Sequence, residues 1–148
     1  MHRILPLFLA LACSDAIDVH PDVGLTVEVL VSPPAGTIGD PVTITVRVTN
    51  LNEGQLTLRF PSACVFTYVI LDAEEELVAP SNLCGDESVT HTFPAGISEQ
   101  SFLFTVGDAM HPLGGGTYQV YGGVGFPLVI VSEPIILQIN TLELRHAR

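Results

Sequence analysis

The feature of the sequence that most constrains the fold is a strict alternation of apolar and polar residues over positions 42–49. Successive side chains of a β-strand point to opposite faces, so this spacing predicts a strand with one buried face and one solvated face. Residues 25–31 repeat the pattern upstream. The apolar side of the first segment comprises Val42, Ile44, Val46 and Val48, and that of the second comprises Leu25, Val27, Val29 and Val31.

Further strand-like segments follow at short intervals, each bounded by Gly, Pro, Ser or Asp. Residues 50–54 predict a hairpin loop that returns through a strand at 56–60. The apolar run 66–71 predicts a central strand covered on both faces, with an exposed turn at 72–76. No segment has the periodicity of a long amphipathic helix. Five more strands are predicted at 89–93, 100–106, 117–121, 126–131 and 135–144.

These strands and the length of 148 residues predict one all-β domain, an antiparallel immunoglobulin-like β-sandwich of about eight or nine strands. A closed barrel is the alternative. The sandwich is expected to cover residues 24–144, between an N-terminal tail at 13–23 and a C-terminal tail at 145–148. Glycines at 114–116 and 122–123 predict a loop and a bend, because glycine adopts positive φ without a Cβ clash.

The charge of the chain limits its partners. The formal net charge is −11, and the five basic residues are all arginines, of which only Arg145 and Arg148 lie close together. Nucleic acid and anionic lipid surfaces are bound through clustered Lys and Arg, so neither is an expected partner. Cationic partners remain compatible with this surface.

The N-terminus has the layout of a signal peptide. His2 and Arg3 precede an apolar run at 4–12, which ends at Cys13. As a helix this run rises about 13–14 Å, too little to cross a hydrocarbon core of about 30 Å. We therefore expect residues 1–12 to direct export and to be removed, and a buried N-terminal helix or strand is the alternative. Loss of Arg3 would change the formal charge from −11 to −12.

Two kinds of processing would cleave the bond between Ala12 and Cys13. Ala10-Leu11-Ala12 fits ordinary secretion, whereas residues 9–13 resemble a bacterial lipobox in which Cys13 becomes the acylated first residue, although Ala10 replaces the usual leucine. Lipidation is favoured because it consumes a thiol that export would otherwise leave unpaired. The expected location is the cell envelope, with membrane attachment only through the lipid anchor. A secreted or periplasmic soluble protein is the alternative.

Two further cysteines, Cys64 and Cys84, form an even pair in a compartment that permits disulfides. A bridge between them would close a loop of about twenty residues and stabilise the fold by roughly 3 kcal/mol. Two separate buried thiols are the alternative. Neither cysteine has a Cys or His at metal-ligand spacing, so no metal site is expected.

No arrangement typical of a catalytic or cofactor site is visible. His20, His91 and His111 are far apart, and no serine lies in a nucleophile-elbow motif. The acidic run 74–76 lacks the alternating oxygen ligands and the glycine of a calcium loop. The chain is therefore expected not to be an enzyme and to bind no cofactor.

Residues 42–123, about 55% of the chain, contain a set of strand and turn motifs: Thr49-Asn50, Leu58-x-Phe60-Pro61-Ser62, Phe66-x-Tyr68-x-Ile70 with Asp72, Phe93-Pro94-Ala95-Gly96, Phe104, and Gly116-Thr117-Tyr118-x-Val120-x-Gly122. On these motifs the region resembles the intracellular proteinase inhibitor BsuPI family, a group of small bacterial β-sandwich domains. The export signal, the cysteine pair and the strand region 126–144 depart from its intracellular members and place the chain nearer to secreted lipoprotein relatives. The resemblance implies the sandwich fold and, for function, proteinase inhibition.

Two functions are expected. In the first, a loop held rigid by the sandwich and by a Cys64–Cys84 bridge enters a protease cleft, because an ordered loop loses less entropy on binding. Residues 77–87 and 107–116 are both candidates, and the sequence does not choose between these inhibitory loops. In the second, the chain is a non-catalytic envelope lipoprotein that binds another envelope protein through a sheet edge or face.

Overall fold

A computed structural model describes residues 16–80 and 84–141. The predicted signal peptide at 1–12, the proposed lipid anchor Cys13 and the C-terminal tail at 145–148 lie outside the described residues. Within the described ranges every regular element is a β-strand. No helix in these ranges has the length and hydropathy needed to cross a bilayer.

Twelve strands occupy the described residues, and nine of them contain four or more residues. Three short strands, of two or three residues each, complete the set. The bounds are β1 (Ile17–Asp18), β2 (Leu25–Ser32), β3 (Ala35–Thr37), β4 (Pro41–Asn50), β5 (Leu56–Phe60), β6 (Phe66–Leu71), β7 (Leu77–Pro80), β8 (Val89–Phe93), β9 (Gly96–Thr105), β10 (Gly116–Val124), β11 (Ile130–Val131) and β12 (Ile135–Asn140).

The strands form three sheets. The first has the order β2-β4-β9, the second β3-β12-β10-β6-β7 with β11 added to β10, and the third β1-β5-β8. Of these pairings, β1 with β5 and β3 with β12 are parallel, and the others are antiparallel. The prediction of an antiparallel immunoglobulin-like sandwich is confirmed. Strand β1 lies within the segment 13–23, where a tail was predicted.

The core lies between the sheets, on the side that the alternation predicts. Val42, Ile44, Val46 and Val48 are fully buried in β4, whereas Thr43, Thr45, Arg47 and Thr49 are partly exposed on its other side. Aliphatic and aromatic side chains of β2, β6, β10 and β12 complete one hydrophobic cluster with them. Burial of this apolar area is the main force that stabilises the fold.

The hairpin predicted at residues 50–54 is wrong. Strand β4 pairs with β2 and β9, while β5 pairs with β8 and β1, so the loop carries the chain from one sheet to another. The side chain of Asn50 provides a physical reason for this crossover, because it links the loop to the end of β8. This side chain is only 4% exposed, and its amide donates hydrogen bonds to the carbonyl oxygens of Gly54, Phe93 and Pro94 at 2.9, 3.2 and 3.3 Å. Its own oxygen accepts from the backbone N–H of Asn52 at 3.0 Å.

The bend predicted at residues 122–123 is also wrong, because both glycines lie inside β10. A Cβ on Gly122 would lie 3.0 Å from the Cβ of Val29 on the opposite sheet. The glycine is therefore needed for close packing of the sheets and not for positive φ. The strand predicted at 126–131 is limited to β11, since residues 125–128 form a turn.

Candidate functional site

The loop 107–116 and residues 84–87, the last part of the other candidate segment, lie at opposite ends of β10. The segment 107–116 leads into Gly116, the first residue of that strand. The segment 77–87 returns to the other end, where the N–H of Ala63 donates to the carbonyl oxygen of Gly85 at 3.0 Å and that of Gly125 donates to the carbonyl oxygen of Val65 at 3.0 Å. The nine residues of β10 span about 26 Å, so residues 84–87 and the loop 107–116 belong to different surfaces.

Cys64 and Cys84 are joined by a disulfide, as the even cysteine pair predicts, with their Cα atoms 5.4 Å apart. Cys64 is buried two residues before β6, and Cys84 lies in the segment that follows β7. The bridge therefore ties the segment 77–87 to the sandwich. It does not touch the loop at 107–116.

Asp108 fixes the backbone of the loop 107–113. Its Oδ1 accepts hydrogen bonds from the backbone N–H groups of Met110 and His111 at 2.9 and 2.6 Å, and its Oδ2 accepts from that of Thr105 at 3.2 Å. Desolvation alone would raise the pKa of the Asp108 carboxyl, but these bonds and the His111 side chain outweigh it and lower the pKa. The carboxylate is thus the stable form that holds the loop.

His111 anchors the same loop in the core. The side chain is 8% exposed, stacks on Phe104 with ring centroids 4.1 Å apart, and joins Asp108 to Tyr68. Its Nδ1 lies 3.1 Å from Asp108 Oδ1, and its Nε2 lies 2.6 Å from the Tyr68 hydroxyl oxygen. Since a carboxylate can only accept, Nδ1 carries the proton in the neutral imidazole and Nε2 accepts from Tyr68.

The chain Asp108–His111–Tyr68 has the form of a catalytic relay, but its chemistry favours a positioning role. Tyr68 is 2% exposed, and burial, with a smaller effect of the Asp108 charge, raises the pKa of its phenol to about 12. A phenol that is protonated and buried is a poor nucleophile and a poor base. What these three groups do is hold residues 107–113 in one conformation.

The apex of the loop is apolar and exposed. Met110 is 50% exposed, and Ile38, 54% exposed, lies against the base of the loop at Gly107. Gly107 has φ +82°, and a Cβ there would meet the Ile38 side chain at 2.9 Å. Leu113 is buried and closes the loop from below. The result is a fixed turn with apolar side chains at its surface.

The other residues considered as catalytic groups or metal ligands lie apart from one another. His20 is exposed near β1, and His91 contacts Phe66 and Phe93 with its pKa lowered by burial. Asp72 accepts from the N–H groups of Glu74 and Glu76, which orders the acidic turn between β6 and β7. Among the residues described, no three His, Cys, Asp or Glu side chains converge as metal ligands.

The sequence does not predict the link between His111 and Tyr68. The only local signal is the spacing of Asp108 and His111, which suits a side chain that caps its own turn. Tyr68 is 43 residues away from His111, and pairing over that distance is set by the sheet topology.

No family model matches this chain, and no curated protein matches it. Among solved structures, it is similar to a structural genomics target called SoR45 at 18% identity, over 90% of this chain and 95% of that one, with a TM-score of 0.44. It is similar to the protein ApaA from Bordetella pertussis at 23% identity, over 82% and 97% of the two chains, with a TM-score of 0.41.

A β-glucosidase from Listeria innocua is similar at 13% identity over 78% of this chain, with a TM-score of 0.44. The matching region is 16% of that enzyme, so this chain spans only a small part of its length. At these levels of similarity the names of the three proteins say nothing about what this chain binds.

Proposed function

We propose that this chain is an exported, non-catalytic binding module that presents the loop 107–113 to a protein partner at the cell envelope. The observation that carries the proposal is the combination of a backbone fixed by Asp108 and His111 with an exposed apolar residue, Met110, at the apex. A loop that is already ordered loses little entropy when it binds. The segment 77–87 is the less favoured surface, because its first four residues are strand β7, which pairs with β6 and is not part of a projecting loop.

The disulfide supports the export part of the proposal. Bridges such as Cys64–Cys84 persist in oxidising compartments and are rare in the cytosol. Together with the signal-peptide layout of residues 1–12, this favours a mature protein that begins at Cys13 and is held by an acyl chain.

Proteinase inhibition is the specific form of this function that the BsuPI resemblance implies. Met110 could enter an apolar specificity pocket of a serine protease while the loop resists cleavage. The alternative is an envelope lipoprotein with a structural or protein-interaction role. In the described residues β9 pairs only with β4, and its exposed Ile97 and Leu103 provide a sheet edge for that alternative.

The first experiment compares the mature protein with Met110→Glu, using Leu103→Glu as a matched control. Both residues are exposed and apolar, but Leu103 lies on β9 and not on the loop. We expect inhibition of one or more serine proteases, or in-cell cross-linking to an envelope protein, that is lost in the first variant and kept in the second. Equal loss in both variants, or neither inhibition nor cross-linking in the unmodified protein, would overturn the proposal.

The second experiment is mass spectrometry of the protein from its own cells. It would identify the processed N-terminus, acyl chains on Cys13 and the redox state of Cys64 and Cys84. A mature chain that retains residues 1–12, or whose first residue is an unmodified cysteine, would contradict the lipid anchor.

A further inference from the structure

A second surface lies at the end of the sandwich away from Met110. Strand β1 and the following residue pair with β5 through two register positions and a bond from the N–H of Val19 to the carbonyl oxygen of Arg59 at 3.1 Å. Below this contact is an open cleft of about 380 Å³. Its wall is mostly apolar and is formed by Val19, Phe60, Pro61 and Val129, with Arg59 and Asp18 beside them.

The cleft has a positively charged side chain, that of Arg59, which is unusual in this acidic molecule. The described residues contain two arginines, Arg47 and Arg59, and no lysine. Arg47 is held between Glu28, at 3.1 Å, and Glu99 on the outer face of the first sheet. The nearest carboxylate to Arg59 is that of Asp18, at 3.7 Å, which is beyond hydrogen-bond distance.

The guanidinium of Arg59 is therefore available to an incoming group. Its side chain is 58% exposed and that of Asp18 is 82% exposed, so their pairing is weak and easily displaced. A guanidinium presents five N–H donors in a planar fork that matches a carboxylate. Phe60 is fully buried, which gives the cleft a fixed floor next to this fork.

We propose that this cleft binds a small amphipathic carboxylate. The carboxylate replaces Asp18 as the partner of Arg59, and the apolar body of the ligand lies against Val19, Pro61 and Val129. The volume is near the lower end of the roughly 300–1,000 Å³ found for small-molecule sites, so the ligand is small. This inference does not depend on the proposed function, because Met110 is at the other end of the sandwich.

The probes are octanoate, octanol and octylammonium, which share one chain and differ in the charge of the head group. Each is titrated into the full chain, with binding followed by calorimetry and by the NMR signals of the valine methyl groups. We expect octanoate to bind about tenfold more tightly than octanol, a difference of about 1.4 kcal/mol, and octylammonium to bind most weakly. The methyl signals of Val19 and Val129 should shift on octanoate binding.

Two variants on the exposed side of the cleft give effects of opposite sign. Arg59→Gln should abolish the preference for octanoate over octanol. Asp18→Asn should strengthen octanoate binding several-fold, because it removes the competing carboxylate. Arg47→Gln is the matched control and should leave all three affinities unchanged. Unaltered amide spectra would show that each variant is folded.

Several outcomes would overturn the inference. These are equal affinity for octanoate and octanol in the unmodified chain, octanoate affinity that is unaffected by Arg59→Gln or lowered by Asp18→Asn, and methyl shifts confined to other parts of the protein. Binding only of a peptide with a free C-terminal carboxylate, and not of octanoate, would also show that a small molecule is the wrong occupant.

Discussion

Asn50, Asp72 and Asp108 determine the course of three connections through their side chains. Each is a short polar residue whose side chain binds backbone groups of the turn that follows it. Turns at these positions can be predicted from sequence, because Asn and Asp are common turn residues. Hydrogen-bond partners that are far away in the sequence cannot be predicted in this way. Asn50 also binds the carbonyl oxygens of Phe93 and Pro94, which are 43 and 44 residues away.

Replacing Asn50 by aspartate should test its role between the sheets. The variant keeps the shape but turns a donor toward three carbonyl oxygens into an acceptor. We expect a loss of about 2–3 kcal/mol in the free energy of unfolding, measured by urea denaturation. Asn140→Asp, at an exposed position in β12, is the control and should change little. Equal effects in the two variants would contradict this role.

Tyr68 should make the stability depend on pH above neutrality. Its pKa is about 12 in the folded chain and about 10 when unfolded. Stability from this group is fully present below pH 10 and is lost as pH rises toward 12, because the unfolded chain releases a proton that the folded chain retains. The loss should be about 2–3 kcal/mol.

The measurement is urea unfolding at several pH values for the unmodified chain and for Tyr68→Phe. The variant should lack this part of the alkaline loss and, at pH 7, should be less stable by about 1–2 kcal/mol because His111 loses a partner. Parallel curves for the two proteins between pH 10 and 12 would show that Tyr68 ionises normally.

At the scale of elements, local patterns predict most strand positions but not all their pairings. Strands β4, β5 and β6 lie where alternation or an apolar run places them. The polar, glycine-containing loop between β4 and β5 predicts a hairpin, but it connects two different sheets. Such a loop suits a hairpin and a crossover between sheets equally well. Gly122 and Gly123 predict a bend, but both lie inside β10, where Gly122 packs against Val29 of the opposite sheet and Gly123 packs against Leu128.

Gly122→Ala should destabilise the contact between β10 and β2. A Cβ there would lie 3.0 Å from the Val29 Cβ and 3.2 Å from Val46 Cγ2, where little movement is possible. We expect thermal and urea unfolding to show a loss of about 1–3 kcal/mol. Gly114→Ala is the matched control, since a Cβ at that position meets nothing within 4 Å. A neutral Gly122→Ala would mean that the sheets can move apart there.

At the scale of the whole molecule, the loop 107–113 lies far from both the disulfide and the cleft beside Arg59. The loop 107–113 lies at the Gly116 end of β10, while the disulfide and the cleft beside Arg59 lie towards the Val124 end. From the sequence alone, the bridge is expected to support an inhibitory loop. The structure assigns the rigidity of the favoured loop to Asp108 and His111 instead.

The double variant Cys64→Ala and Cys84→Ala tests this separation. Because the two cysteines are 20 residues apart, removing the bridge should lower the free energy of unfolding by roughly 3 kcal/mol. Any partner binding that depends on Met110 should persist under conditions in which the variant remains folded. Reductant should lower the stability of the unmodified chain to that of the variant and leave the variant unchanged. Loss of Met110-dependent binding in the folded variant would show that the two ends are coupled.

The sequence by itself determined most of the strand segments and which of their faces are buried, because a period of two residues is a local property of the chain. The short strands β1, β3 and β7 were not predicted. It also determined the cysteine pair and the acidic character. Tertiary structure alone decided which strands pair, that residues 84–87 lie at the opposite end of β10 from the loop 107–116, and that Tyr68 meets His111. These depend on contacts between residues far apart in the chain, and many arrangements of alternating strands bury the same faces equally well.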